Sequence, residues 1–414
     1  MKCSWTLSTA ITLGMLAASL PACNDAVTPT SSGTGSGGAG GSGAGGDGGS
    51  GGGGTGGSVS AWDWGLPLGI PKPKVPADNP MSAAKVELGR RLFYDKRLSG
   101  NQTYSCATCH LQEKAFTDGL GHAVGSTGQV HPRGSMSLVN VAYASRLTWA
   151  NPLIESLEQQ ARLPMFGETP VELGLAGKEQ ELFDRLAAEP VYQMLFPEAY
   201  PGEKEAISLV TVTGAIAAFE RTMMSFRSPY DRYAYGGDAS GMSESALRGR
   251  DLFFSEKLEC FHCHGGFAFS DAIVREGSTF VEVAFHNTGL YNLDGKGAYP
   301  AENTGVFEIS GLPSDMGRFR AVTLRNIAVT APYMHDGSVA TLEEALDHYA
   351  AGGRTIASSP NAGDGSKSPF KSELINGFNF APGEKEDVVA FLKSLTDEEL
   401  LKDPRLSDPW AQKP

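Results

Sequence analysis

Two short stretches of this chain carry residues whose types and spacing suit one kind of chemistry. Cys106-Ala107-Thr108-Cys109-His110 sets two cysteines three apart, with a histidine directly behind the second, and Cys260-Phe261-His262-Cys263-His264 repeats the pattern. Such a turn offers two thiols to the vinyl groups of a haem, as thioethers, and an imidazole to its iron. With six cysteines and eight histidines in 414 residues, two copies are not expected by chance. Two other uses of paired cysteines exist. A four-cysteine zinc site would need no histidine behind each pair, and would have to join pairs about 150 residues apart. A redox disulfide would want a thioredoxin-like βαβ context, which the sequence lacks. The pattern predicts two covalently attached haems c, with His110 and His264 as iron ligands.

Each motif needs an element to deliver it. Ser82 is a good N-cap, and Val86, Leu88, Leu92 and Phe93 carry a helical pattern towards the first motif. Gly89-Arg90-Arg91-Leu92-Phe93 before the first motif matches Gly249-Arg250-Asp251-Leu252-Phe253 before the second. The repeat predicts a mostly α fold of two cytochrome c-type domains, roughly 60–240 and 241–414, each wrapping one haem with a few helices. Between the motifs, 156–163 and 178–186 have helical composition, and 207–226 is the longest helical stretch, apolar at Leu209, Val212, Ile216 and Phe219. Ala61 to Pro80, with Trp62, Trp64 and several prolines, reads as an extended arm on the first domain, and 270–312 as loop. Thr341 and Glu344 form a capping box for a helix that ends at Gly352-Gly353, with Leu342, Ala345, Leu346 and Tyr349 on one face. A last helix over 384–395 shows the stripe Val388, Phe391, Leu392 and Leu395.

The first sixty residues read differently. A basic start, an apolar run from Leu7 to Leu20 too short to span a bilayer, and Leu20-Pro21-Ala22-Cys23 make 1–22 an export signal. The run resembles a bacterial lipobox, which implies lipidation of Cys23; an ordinary signal peptide with a stray cysteine is the alternative. Export agrees with the motifs, because c-type haem is attached outside the cytoplasm. Residues 33–57 hold 17 glycines in 25, so 23–59 reads as a flexible linker. Its reach is on the order of 35 Å. With Cys3 and Cys23 set aside, every cysteine lies in a haem motif and no structural disulfide is left. A net charge of −13 argues against nucleic acid or an anionic lipid surface as a partner.

From Trp62 to the C-terminus the chain resembles the bacterial dihaem cytochrome c peroxidase and MauG superfamily. The resemblance rests on the two haem motifs and on the runs 87–93, Leu324-Arg325-Asn326, 330–337 and 341–345. Within that superfamily, the runs 135–143 and 164–174 look most like the MbnH-type dihaem enzymes, which pair with a copper-binding protein. The resemblance implies an open, peroxide-reactive haem at His110 and a six-coordinate, electron-transfer haem at His264. It implies Glu172 as the distal acid/base, with Gln160 and Pro164 beside it; on its own, Glu172 would read as a surface glutamate. It implies Trp149, 39 residues after His110, as the electron path, although an isolated tryptophan is more often a core residue.

The sixth ligand of the second haem is a methionine in the peroxidases and a tyrosine in MauG. Tyr349, 19 residues after Thr330, matches the tyrosine position; Met316 and Met334 are the rivals, and a buried core tyrosine is the plain reading. His348 points about 100° away round the same helix. His122 and His131 read as loop histidines, poorly spaced for a distal ligand, His262 as a bystander, and His286 and His335 without a clear role. The family also holds a calcium ion. Thr330 and Pro332 of its ligand set are present, but the asparagine position after Arg133 is Gly134, which removes an oxygen from a site needing six to eight.

These expectations make an exported oxidoreductase that reduces hydrogen peroxide and oxidises a partner protein, at an aromatic side chain of an exported redox or metal-binding protein. The alternatives are a peroxide-scavenging cytochrome c peroxidase fed by a small redox protein, and a non-enzymatic dihaem electron carrier.

Overall fold

The computed structural model describes residues 62–411. The expected signal segment, Cys23 and the glycine-rich linker lie outside the described residues. The helices are α1 (Ala83–Tyr94), α2 (Cys106–Cys109), α3 (Leu157–Phe166), α4 (Glu179–Ala187), α5 (Pro190–Ala199), α6 (Leu209–Glu220), α7 (Pro229–Ala234), α8 (Glu244–Phe253), α9 (Phe307–Ser310), α10 (Leu342–Ala350) and α11 (Glu384–Lys393). Among the described residues, strand is confined to one short antiparallel pair, Thr355–Ile356 with Gly363–Asp364. None of the described helices is long and apolar enough to cross a membrane.

The helix starts follow the local chemistry. Ser82, Ser156, Ser208 and Thr341 each accept a hydrogen bond from a first-turn amide, which caps α1, α3, α6 and α10. The helix expected over 207–226 is shorter, because its apolar tail turns out at Arg221 and continues as buried loop. α5 was not anticipated: Pro197 sits inside it, and its burial of Tyr192 and Phe196 against the first core outweighs that residue's poor propensity.

The repeated glycines have a steric reason. A Cβ on Gly89 would stand 1.9 Å from the carbonyl oxygen of Ala215, and one on Gly249 would stand 1.9 Å from that of Asp387. α1 therefore crosses α6, and α8 crosses α11, at backbone contact, and only glycine allows either crossing. Each crossing has its own apolar core. One gathers Leu88, Phe93, Val212, Phe219 and their neighbours; the other gathers Ala246, Phe253, Val388, Phe391 and Leu395. The C-terminal segment returns to the first core through Leu400, Leu401 and Leu406, with Trp410 packed beside them. The proline-rich arm lies across the molecule, with Ile70 against Tyr143 and Phe226.

Candidate active site

Both haem motifs are held by the same device. After His110 the chain enters the left-handed region at Phe116, φ 62°, and after His264 at Phe269, φ 50°. Phenylalanine rarely adopts that conformation, and both rings are fully buried, which holds them there. The turn aims the Phe116 carbonyl at His110 Nδ1, 2.7 Å away, and the Phe269 carbonyl at His264 Nδ1, 3.1 Å away. A carbonyl can only accept, so each Nδ1–H donates and each Nε2 lone pair is left for a metal. Burial holds both imidazoles below their usual pKa, in the neutral form a metal needs.

The four motif cysteines are unpaired. Burial pushes the Cys109 and Cys260 thiols up to about 12, so neither behaves as a reactive thiolate. The metal-competent groupings among the described residues are Cys263 with Asp271 and His286, and Glu256 with Glu259 and His262. Neither joins the two cysteine pairs, so a shared four-cysteine zinc site finds no support.

Around the second motif lies a cavity of about 300 Å³, walled by Cys260, Cys263, His264, Trp149, Tyr349 and Thr330, among others. Much of the wall is apolar, with Leu324, Ile327, Leu346 and Leu392. The buried Arg320 guanidinium faces it, and its Nε has no partner. That orphan suits a porphyrin carboxylate. A smaller cavity, about 40 Å³, is walled by Cys106, Cys109, His110, Gln160, Pro164 and Glu172. At each motif the donor set fits a haem, and at the second the apolar wall and the Arg320 orphan suit its ring and carboxylates.

The expected site residues thus fall into two groups. Glu172 sits on a strap between two glycines. A Cβ on Gly125 would meet the Val171 carbonyl at 1.9 Å, and one on Gly100 the Gly174 carbonyl at 2.2 Å. Leu173 N–H donates to the Pro164 carbonyl at 2.8 Å, which ties the strap to α3. Pro164 lacks the N–H that would otherwise bond the Gln160 carbonyl one turn back. Burial alone raises the Glu172 carboxyl above its usual pKa.

Trp149 and Tyr349 belong to the other cavity. The Trp149 indole N–H donates to the Gly134 carbonyl at 2.9 Å. Gly134 has no room for a side chain, since its Cβ would stand 2.9 Å from the Leu120 carbonyl. Burial raises the Tyr349 phenol above its usual pKa, with the neighbouring Cys263 and Cys260 adding to it. Losing that proton therefore needs a cation at the oxygen. His348 is buried without partners and does not wall the cavity; Met334 does, and Met316 does not. Thr330 and Pro332 line this cavity too.

Several site residues escaped the sequence reading. His131, set aside as a loop residue, walls the His110 cavity. His286 Nε2–H donates to the Asp271 carboxylate at 2.6 Å beside Cys263. Glu220, the one acid of apolar α6, also faces the His110 cavity. Its isolation in an apolar run was a usable signal; the other two have none, because their partners are distant in sequence.

A family model described as di-haem cytochrome c peroxidase matches residues 83–240. The methylamine utilization protein MauG of Methylorubrum extorquens is 34% identical over 334 residues, covering 80% of this chain and 83% of that protein. The cytochrome c551 peroxidase of Pseudomonas aeruginosa is 30% identical over 330 residues, covering 80% and 82%. Among solved structures, a MauG-like protein associated with microbial copper homeostasis is 54% identical, with a TM-score of 0.83, covering 84% of this chain and all of that one. The diheme peroxidase BthA of Burkholderia thailandensis shares the fold at 20% identity and a TM-score of 0.62. With two haem-binding motifs, their matching cavities and these relatives, the chain belongs to the di-haem cytochrome c peroxidase and MauG family of peroxide-dependent oxidoreductases.

Proposed function

We propose that this enzyme couples reduction of hydrogen peroxide to oxidation of an aromatic side chain on an exported, metal-binding partner protein. One hydrogen peroxide, two protons and two electrons from the partner give two waters. The observation that carries the reading is the wall between the cavities. Phe116, whose carbonyl orients His110, leads into Thr117 and Asp118, which line the second cavity with Gly134 and Ser135. Trp149 is hydrogen-bonded to that wall from the side of His264 and Tyr349. A protein partner, too large to enter the His110 cavity, needs such a relay; a small-molecule reductant does not. The 54% identity to a MauG-like protein associated with copper homeostasis supports a metal-handling partner.

Cys106 and Cys109, and Cys260 and Cys263, would hold the two haems as thioethers, with His110, His264 and Tyr349 on iron. When bound, the haem at His110 supplies the redox centre for peroxide. Glu172 takes the proton from one peroxide oxygen and returns it to the other. Gln160 orients the peroxide, and Pro164 keeps that wall apolar. Trp149 offers an oxidisable ring beside the wall between the two sites, and Tyr349 would supply a hard oxygen ligand. Anchoring at Cys23 and the glycine linker would let the body search for its partner.

Trp149→Phe tests the reading. The haem-loaded variant should react with peroxide at close to the wild-type rate but modify candidate partner proteins far more slowly, read by mass spectrometry. If partners stay unmodified while the wild-type enzyme oxidises a small cytochrome quickly, it is a scavenging peroxidase instead.

A further inference from the structure

A second carboxyl faces the His110 cavity. Glu220 is the last residue of α6 and is 5% exposed. It lies one turn after Ile216, and both wall the cavity that also holds Glu172. Its Oε2 has no hydrogen-bond partner. Desolvation by burial pushes its pKa up to about 8, with Arg221 opposing and Glu158 adding to the rise. A carboxyl kept in an apolar helix against that cost asks for a reason.

The next residue points elsewhere. Arg221 walls a separate cleft of about 390 Å³, together with Lys74, Arg146, Leu153, Glu155 and Gln159. Its Nη2 donates to Glu158 Oε1 at 2.7 Å, and Asn79 donates to the same oxygen at 2.7 Å. Lys85 on α1 donates to Asn79 Oδ1 at 3.1 Å and lies over the Tyr200 ring. Arg221 Nη1, Glu158 Oε2, the Tyr200 hydroxyl and Glu220 Oε2 are all buried without partners. Buried, unpartnered polar atoms of this kind are the ones that ordered waters serve in globular proteins. The groups facing Glu220 are Arg221 beside it, Glu158 on α3, and Cys106, Cys109, His110, His131 and Glu172 around the cavity.

We propose that Glu220 is a proton-relay residue for the His110 cavity, loaded from the Arg221 cleft along this string of unpartnered polar atoms. It supplies a proton consumed when hydrogen peroxide becomes two waters, while Glu172 only shuttles a proton between the peroxide oxygens. The inference rests on the peroxide reaction taking place at His110.

Two measurements on the haem-loaded protein test it. Infrared spectra of the ferric protein without peroxide should show a protonated carboxylic acid that titrates away near pH 8 and is missing in Glu220→Gln. Wild-type protein without such a band at neutral pH overturns the proposal, whether or not the variant folds. In stopped-flow mixing, the wild-type peroxide reaction should slow above about pH 8. Glu220→Gln, with an unchanged ferric spectrum, should be slower by about 100-fold and lose that limb, whereas Glu220→Asp should keep it. A Glu220→Gln variant with the wild-type rate and limb overturns the relay alone. Wild-type protein inert to peroxide removes the function above and the relay with it.

Discussion

Replacing Glu172 by glutamine should move activity and stability in opposite directions. A positioned acid/base contributes about 100- to 10,000-fold to a rate, so Glu172→Gln should lose about 3–5 kcal/mol of transition-state stabilisation. The shape of the site is kept, because the strap is pinned by backbone contacts at Gly100, Gly125 and Pro164 and not by this side chain. The stability sign follows from the raised carboxyl pKa, whose cause is burial. A group raised on folding stabilises the fold below its unfolded pKa, and that contribution is lost as pH rises through the folded value. At neutral pH the wild-type carboxyl therefore bears a desolvation cost that the neutral amide does not. Glu172→Gln should melt at the same or a higher temperature at pH 7, and the advantage should vanish in mild acid. Stopped-flow absorbance measures the peroxide step, and thermal unfolding of the same samples measures stability. A folded, haem-loaded variant that reacts within threefold of wild type would refute the role of Glu172. A variant that melts below wild type at pH 7, with the gap closing in mild acid, would refute the electrostatic reasoning.

Tyr349→Phe should change the low-spin signal of the second haem in electron paramagnetic resonance, because it removes the oxygen facing that cavity; an unchanged signal would pass the role to Met334, which shares the wall. Gly249→Ala should destabilise the protein by about 1–3 kcal/mol, since its Cβ would stand 1.9 Å from the Asp387 carbonyl. The gain in helix propensity, about 1 kcal/mol, does not offset a displaced helix crossing; a variant that unfolds at higher denaturant would show that α8 and α11 do not need that contact.

The chemistry of this protein was legible in short, contiguous stretches. The two haem motifs, the helix caps at Ser82, Ser156, Ser208 and Thr341, and the repeated glycine before each motif all act within a few residues of chain. A deeper repeat was present but easy to overlook. Leu138-Val139-Asn140-Val141-Ala142 parallels Leu324-Arg325-Asn326-Ile327-Ala328. In the structure both asparagines take left-handed conformations, at φ 55° and 60°, and both bind Ser225. The family's own pattern pointed to Glu172, Gln160, Pro164, Trp149 and Tyr349. Spacing could not say which of them share a cavity.

That division belongs to the tertiary structure. Glu172 faces the His110 cavity because two glycines far from it in sequence admit its strap at backbone contact. Trp149 is held by Gly134, where the sequence suggested only a missing calcium ligand and the packing leaves no room for a side chain. Glu220 is a bland glutamate at the end of an apolar helix until α1 and α3 close over it. Its burial, its unpartnered oxygen and its place on the His110 cavity depend on which helices cross. The sequence by itself determined what each motif can bind, because ligand chemistry is local. The structure decided which acids lose their water and which cavity each side chain faces, because desolvation comes from neighbours that only folding brings together.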